Sequence, residues 1–175
     1  MAGLEGMDRE PRQRGGTAAA ARTPEAAARA PEGADEETAA ALGAYGSPAD
    51  GEVELPSLPE SARIARRLTE HVVQRQWSLG HHVAEHAVLL VSELVGNAVR
   101  HTGARVFGLR LHRRRGSIRV EVRDPSRGLP CLLPVRETDV SGRGLFLVDT
   151  LADRWGVDLL PRGKTTWFEM RVHDR

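Results

Sequence analysis

The sequence predicts an α+β fold over residues 52–175, a two-layer sandwich in which a mixed, mostly antiparallel sheet carries helices on one face. Three observations lead there. Apolar residues recur at helical spacing between about residues 57 and 100. They alternate at strand spacing on either side of Gly116 and again on either side of Gly163. The short turns inside each pair of strands favour adjacent hairpins, with the helices gathered on one side.

Composition changes near residue 51. The first fifty residues hold fifteen alanines, and their larger apolar side chains are Leu4, Leu42, Tyr45 and two methionines. So little apolar surface cannot offset the entropy lost on ordering, and residues 1–51 are expected to form a disordered tail. Five arginines against nine acids give this stretch a net charge of −4, which leaves +5 on the remainder of a chain whose total is +1. A mildly basic domain suits an anionic ligand without implying nucleic acid. Cys131 is the single cysteine, so an intrachain disulfide and a cysteine-based zinc cluster are excluded. No apolar run has the length of a signal peptide or a membrane span, and a cytoplasmic location without membrane contact is expected.

The elements follow in order. Glu52–Pro56 reads as an edge strand, and Ser57-Leu58-Pro59-Glu60 as a capping box that opens a first helix. Ile64, Leu68 and Val72 continue that helix for about four turns, until Trp77-Ser78-Leu79-Gly80 breaks it. A second helix is expected from about His82 to Arg100. Its stripe of Val83, Ala87, Leu90, Leu94 and Ala98 is widened by Val88, Val91, Val95 and Val99, giving a helix apolar on nearly all sides, with Gly103 as its C-cap. Phe107, Leu109 and Leu111 share one face of a strand, and Ile118, Val120 and Val122 one face of the next. Residues 125–144 read as a long loop. Leu145, Val148 and Leu151 give a short helix, and strands at Val157–Leu160 and Thr165–Val172 close the domain.

Four places break these patterns. Glu93, Asn97 and Arg100 or His101 draw a polar line along the second helix. Such a line is either a solvent-facing strip or a carboxylate that handles protons beside an amide oxygen suited to a hard cation. Asp124 continues the inward register of Ile118, Val120 and Val122. It can cap the turn at Pro125 or accept a hydrogen bond from a buried amine. Ser141-Gly142-Arg143-Gly144-Leu145 runs straight into the short helix, whose N-terminus suits phosphate. Gly163-Lys164-Thr165-Thr166 is a hairpin turn entering a strand, and lacks the upstream glycine of a P-loop.

In order and spacing the four resemble the boxes of the histidine-kinase-like ATPases, the GHKL group with the Bergerat ATP-binding fold. Glu93-Leu-Val-Gly-Asn97 is similar to the N box, Asp124-Pro-Ser-Arg-Gly128 to the first glycine box, Ser141–Leu145 to the second and Gly163-Lys164-Thr165 to the third. The resemblance covers about residues 52–172 and is nearest to the anti-sigma-factor serine/threonine kinases and related actinobacterial ATP-binding regulators. It implies ATP and Mg²⁺ as ligands, with Asn97 holding Mg²⁺ and Glu93 catalytic, orienting or deprotonating the attacking hydroxyl. Asp124 would take the adenine amine with Thr165 nearby. Gly128, Gly142 and Gly144 would shape the phosphate loops, and Arg143 and Lys164 would supply charge to the phosphates. Strand alternation groups Thr166 rather than Thr165 with Phe168, so which threonine faces adenine stays open. The implied partners are an anti-anti-sigma (STAS-type) protein, a sigma factor, and a second copy of the chain in a homodimer. A non-catalytic ATP-binding module that regulates by contact is the alternative. The chain departs from the family pattern at Ser126, where glycine is common, and at Gly96, where Thr or Ser is common. Leu129–Val140 is expected to be a short lid that lets nucleotide exchange readily.

Other readings are weaker. No phosphoacceptor helix is expected before residue 57, and His71 lacks the acidic residue that usually follows such a histidine, so a two-component sensor kinase is excluded. His82-Val83-Ala84-Glu85-His86 fits a short zinc pattern, but in an expected first helical turn it reads as exposed histidines. Arg113-Arg114-Arg115 sits in a turn with no aromatic platform, so it reads as a solvated turn and direct nucleic-acid binding is not expected.

Overall fold

The computed structural model describes residues 34–101, 103–125 and 144–172, except for the side chain of His101. Helix α1 (Glu36–Tyr45) comes first, followed by strand β1 (Val53–Pro56) and helix α2 (Ser61–His71), which runs on into a π-helical turn over Val72–Gln76. Helix α3 (His81–His101) leads into the hairpin of β2 (Val106–Arg114) and β3 (Ser117–Asp124). Helix α4 (Gly144–Leu151), β4 (Arg154–Leu159) and β5 (Lys164–Arg171) complete the domain. The five strands lie in the order β1-β2-β3-β5-β4, and each of the four pairings is antiparallel. The parallel component that a mixed sheet would have contained is absent among the described strands.

The sheet is two-faced because its strands alternate strictly. On β3, Ile118, Val120, Val122 and Asp124 are buried, and on β5 so are Lys164, Thr166, Phe168 and Met170. These side chains meet α3, which buries Val83, Ala87, Leu90, Leu94 and Ala98 together with Ala84, Val91 and Val95. The helix is less uniformly apolar in its surroundings than its composition suggests: Val88 and Val99 are half-buried and Leu89 is exposed. The other sheet face is polar. There Arg119 pairs with Glu121 at 2.6 Å and with Glu169 and Asp158 at 3.2 Å, its guanidinium 3.9 Å above the Trp167 ring.

Two elements differ from expectation for identifiable reasons. Helix α2 starts at Ser61, because the Ser57 amide donates to the Arg105 carbonyl and extends the β1 pairing, while Leu58–Glu60 form a turn. Ser57 is therefore spent on the sheet instead of capping a helix. Helix α1 lies inside the stretch expected to be disordered. Its N-cap Asp35 accepts from the Thr38 amide at 2.8 Å, and Thr38 and Ala41 are buried beneath it. Glu37 and Asp35 pair with Arg63 and Arg67 of α2, Arg63 to Glu37 at 2.6 Å and Arg67 to Asp35 at 2.8 Å. Exposed ion pairs of this kind contribute only about 0–1 kcal/mol each, so α1 is held mainly by the packing of Leu42 and Tyr45 against the core, with Thr38 and Ala41 buried and Asp35 as cap. The π-helical turn follows α2 directly. It is closed by the Trp77 amide on the Val72 carbonyl, and Val72 and Val73 are both buried in it. Among the described residues no helix is long and apolar enough to cross a membrane.

His71, at the end of α2, is buried, and its pKa is pushed below the usual histidine value by that burial and then by the neighbouring Arg75 charge. The folded protein therefore resists protonation that the unfolded chain accepts at about pH 6.5. The stability from this site is complete above about pH 6.5 and is lost as pH falls through the depressed folded value. Urea denaturation between pH 7.5 and 5.5 is expected to show declining stability, with a shallower decline in His71→Gln.

Candidate functional site

Glu93 and Asn97 stand one turn apart on α3, half-buried between the fully packed Leu90, Leu94 and Ala98. Arg100, the next member of the polar line, is exposed, and its guanidinium folds back over Gly96, where an added Cβ would lie 3.0 Å from Nη2. Helix α4 begins hard against this line. A Cβ on Gly144 would collide with Oε2 of Glu93 and come within 3.3 Å of its Cβ and Cδ. Glycine at this position thus lets the N-terminus of α4 approach the Glu93 carboxylate.

Asp124 closes β3 with its side chain on the helix-facing side, 3% exposed. Directly across the ladder is Lys164, 7% exposed, with Nζ 3.1 Å from Asp124 Oδ2. Lys164 is thus engaged by Asp124, in a place the sequence assigned to phosphate charge. Gly163 precedes it with φ +92, and a Cβ there would strike the Asp124 carbonyl and lie 2.5 Å from Pro125 Cα. The turn before β5 is thereby pressed onto the end of β3. Of the two threonines, Thr166 is opposite Val122, buried, on the same face as Asp124. Thr165 pairs with Arg123, and its alternation sends it to the other face.

Topology brings the two halves of the site together. The end of β3 is in register with the start of β2, Gly108 opposite Arg123 and Leu109 opposite Val122, and β2 begins just after α3 ends. The last turns of α3 and the Asp124 end of the sheet therefore share one end of the domain, and Asp124 turns toward the helix layer. Gly128, Gly142 and Arg143, and the Leu129–Val140 lid, lie outside the described residues.

The donor set fits a nucleotide and a hard divalent cation. An amide oxygen is a ligand that Mg²⁺ takes, and a carboxylate one helical turn away can accept a proton. A glycine-opened helix N-terminus beside them suits phosphate, and a buried acid at the sheet end suits an amine of a base. The other candidates do not assemble. His82 and His86 are exposed in the first two turns of α3, His81 pairs with Glu85 at 3.3 Å, and among the described residues no three His, Cys, Asp or Glu side chains converge on a metal position. Arg113 of the arginine turn donates to the Trp77 carbonyl at 2.7 Å. A cleft lined by Arg115, Asp153, Arg154, Glu169 and Arg171 lies at the opposite end of the sheet, where Arg154 pairs with Glu169 and Arg171 with Asp153.

The pairing of Asp124 with Lys164, and the contact of Gly163 with both Asp124 and Pro125, were not anticipated from sequence. Each depends on the β3–β5 register, which no local pattern reports. The one hint was Lys164 itself, the single lysine in a chain of 24 arginines, at the start of an alternating strand.

The family model described as the histidine kinase-like ATPase domain matches residues 55–170. A Streptomyces coelicolor protein described as uncharacterized is 53% identical over 45 residues, which are 25% of this chain and 43% of that protein, so the chain spans less than half of that relative. The histidine kinase domain of a blue-light activated histidine kinase from Erythrobacter litoralis aligns at 24% identity with a TM-score of 0.43, over 67% of this chain and 62% of the other.

Proposed function

The chain belongs to the histidine kinase-like ATPases, and we propose that within that family it is an ATP-binding regulator that phosphorylates serine or threonine on a STAS-type anti-anti-sigma partner. The observation that carries the reading is the placement, at one end of the domain, of an inward-turned Asp124 and the last turns of α3, with Glu93 close against the glycine-opened start of α4.

In this reading each residue has a separate task. Asp124 accepts the adenine amine, with the Thr166 hydroxyl on the same sheet face. Asn97 offers its amide oxygen to Mg²⁺, which when bound neutralises phosphate charge and helps orient the transferred group. Glu93, half-exposed beside the α4 N-terminus, takes the proton as the partner hydroxyl forms its bond to the γ-phosphorus and ADP departs. So sparse a site is sufficient, because phosphoryl transfer needs positioning and charge neutralisation more than covalent help. A sigma factor as second partner, a homodimer and a cytoplasmic setting complete the proposal.

The test is incubation of the full chain with labelled ATP, Mg²⁺ and candidate STAS-type proteins. Phosphoserine or phosphothreonine on a partner supports the kinase. Tight, saturable ATP binding without transfer to any partner points to the contact-only regulator.

A further inference from the structure

We propose that β4 is an interface to a second copy of this chain: the two β4 edges pair antiparallel about Gly156, with Arg154 of each copy opposite Asp158 of the other. The inference rests on the homodimer named in the reading above and gives it a surface. It does not depend on the nucleotide site.

Among the described strands, β4 has β5 on one side and no strand on the other. The Leu160 amide donates to the Gly163 carbonyl at 3.0 Å, which makes these two a hydrogen-bonded pair in the β4–β5 register. Alternation along an antiparallel ladder then turns the backbone groups of Arg154, Gly156 and Asp158 toward β5. It turns the amides and carbonyls of Trp155, Val157 and Leu159 to the open edge. Such a row is a template for another strand. β4 has neither proline nor lysine to guard that edge, and Leu159 at its end is 68% exposed.

The side chains decide which strand fits. Arg154 and Asp158 stand two residues to either side of Gly156 on the polar face of the sheet, their side chains 75% and 57% exposed. An antiparallel copy centred on Gly156 therefore sets Arg154 against Asp158 twice, at non-hydrogen-bonded positions where cross-strand side chains come closest. On the helix-facing side the same register sets Trp155 against Val157, an aromatic beside a β-branched residue. Centring on Asp158 opposes two acids, and centring on Val157 faces Arg154 with Leu160, so neither pairs opposite charges. Gly156 brings no side chain to the centre, where an added Cβ would lie 2.7 Å from the Trp167 ring. Arg154 reaches its own Glu169 only at 3.6 Å, and Asp158, 3.2 Å from Arg119 through Oδ2, has a second oxygen to offer. The strand is thus complementary in charge to its own antiparallel copy.

Sedimentation equilibrium of the full chain reads the balance of monomer and dimer. Arg154→Glu opposes two acids at both ends of the junction and Asp158→Arg opposes two cations, so each variant alone is expected to weaken self-association by about tenfold or more. Mixed in equal amounts, the two variants are expected to form a heterodimer about as tight as the unaltered dimer, because each charge again meets its opposite. The double variant Arg154→Glu/Asp158→Arg restores both pairs within one chain and is expected to dimerise alone. Rescue by mixing needs both chains folded and responds only to contacts between copies, so a loss of stability cannot imitate it. Hydrogen exchange gives a second readout: the Trp155, Val157 and Leu159 amides should be slowed in the dimer and exchange freely in either single variant. Single variants that dimerise like the unaltered chain overturn the β4 interface, as do rescues that fail or edge amides that exchange equally fast in dimer and monomer. Each of these leaves a homodimer through another surface, and the nucleotide reading, untouched. An unaltered chain that stays monomeric at every concentration overturns the interface and removes the homodimer with it.

Discussion

Glu93→Gln is expected to lower phosphoryl transfer to the partner by roughly 10²–10⁴-fold, the usual contribution of a positioned general base. ATP affinity should change by less than about threefold, because the lost interaction belongs to the transition state. Glutamine has the shape of glutamate, so the contact with Gly144 at the start of α4 persists and thermal stability should hold. That separation makes the variant informative. If Glu93 serves only as a spacer between α3 and α4, transfer continues at the original rate. Single-turnover rates with labelled ATP, read beside a melting curve, distinguish the two roles.

Gly163→Ala is expected to destabilise the domain by about 3 kcal/mol or more, lowering Tm by roughly 10 °C, and to weaken ATP binding at the same time. Two costs combine here. The φ of +92 is one that side chains rarely adopt, and the new Cβ would meet backbone atoms of Asp124 and Pro125 that have no rotamer to give way. Gly116→Ala is the control. Its φ of +73 carries the first cost, but no atom lies within 4 Å of the added Cβ, so only about 1 kcal/mol is expected. Thermal melts of the two variants measure the crowding as a difference. Equal melting temperatures would show that the β3 end and the β5 turn are not pressed together.

The features readable in the sequence were those with a local period. Alternation through Ile118, Val120 and Val122 placed Asp124 on the inward face, and the structure buries it there. The spacing of Glu93 and Asn97 on a helix otherwise packed with Leu and Val likewise marked the turn that the structure leaves half-buried. What escaped depended on distant partners. Ser57 reads as a helix cap until the sheet claims its amide for Arg105. The Asp35–Tyr45 stretch has little apolar surface, and the Arg63 and Arg67 charges that meet it lie on another helix. Lys164 reads as a phosphate ligand from its local motif, because the ladder that sets it against Asp124 is invisible to any single segment. Thr166 lies on the Asp124 face of the sheet, as the alternation that groups it with Phe168 suggested.

Calorimetric titration of the full chain with ATP, with and without Mg²⁺, puts the assignment of a nucleotide site to α3 and the β3 end to its plainest trial. The protein should bind ATP, and Mg²⁺ should tighten that binding by about tenfold or more through Asn97, a gain that Asn97→Ala abolishes. A folded protein that ignores ATP in both conditions, or an Asn97→Ala variant that keeps the full Mg²⁺ effect, would contradict this assignment of the site.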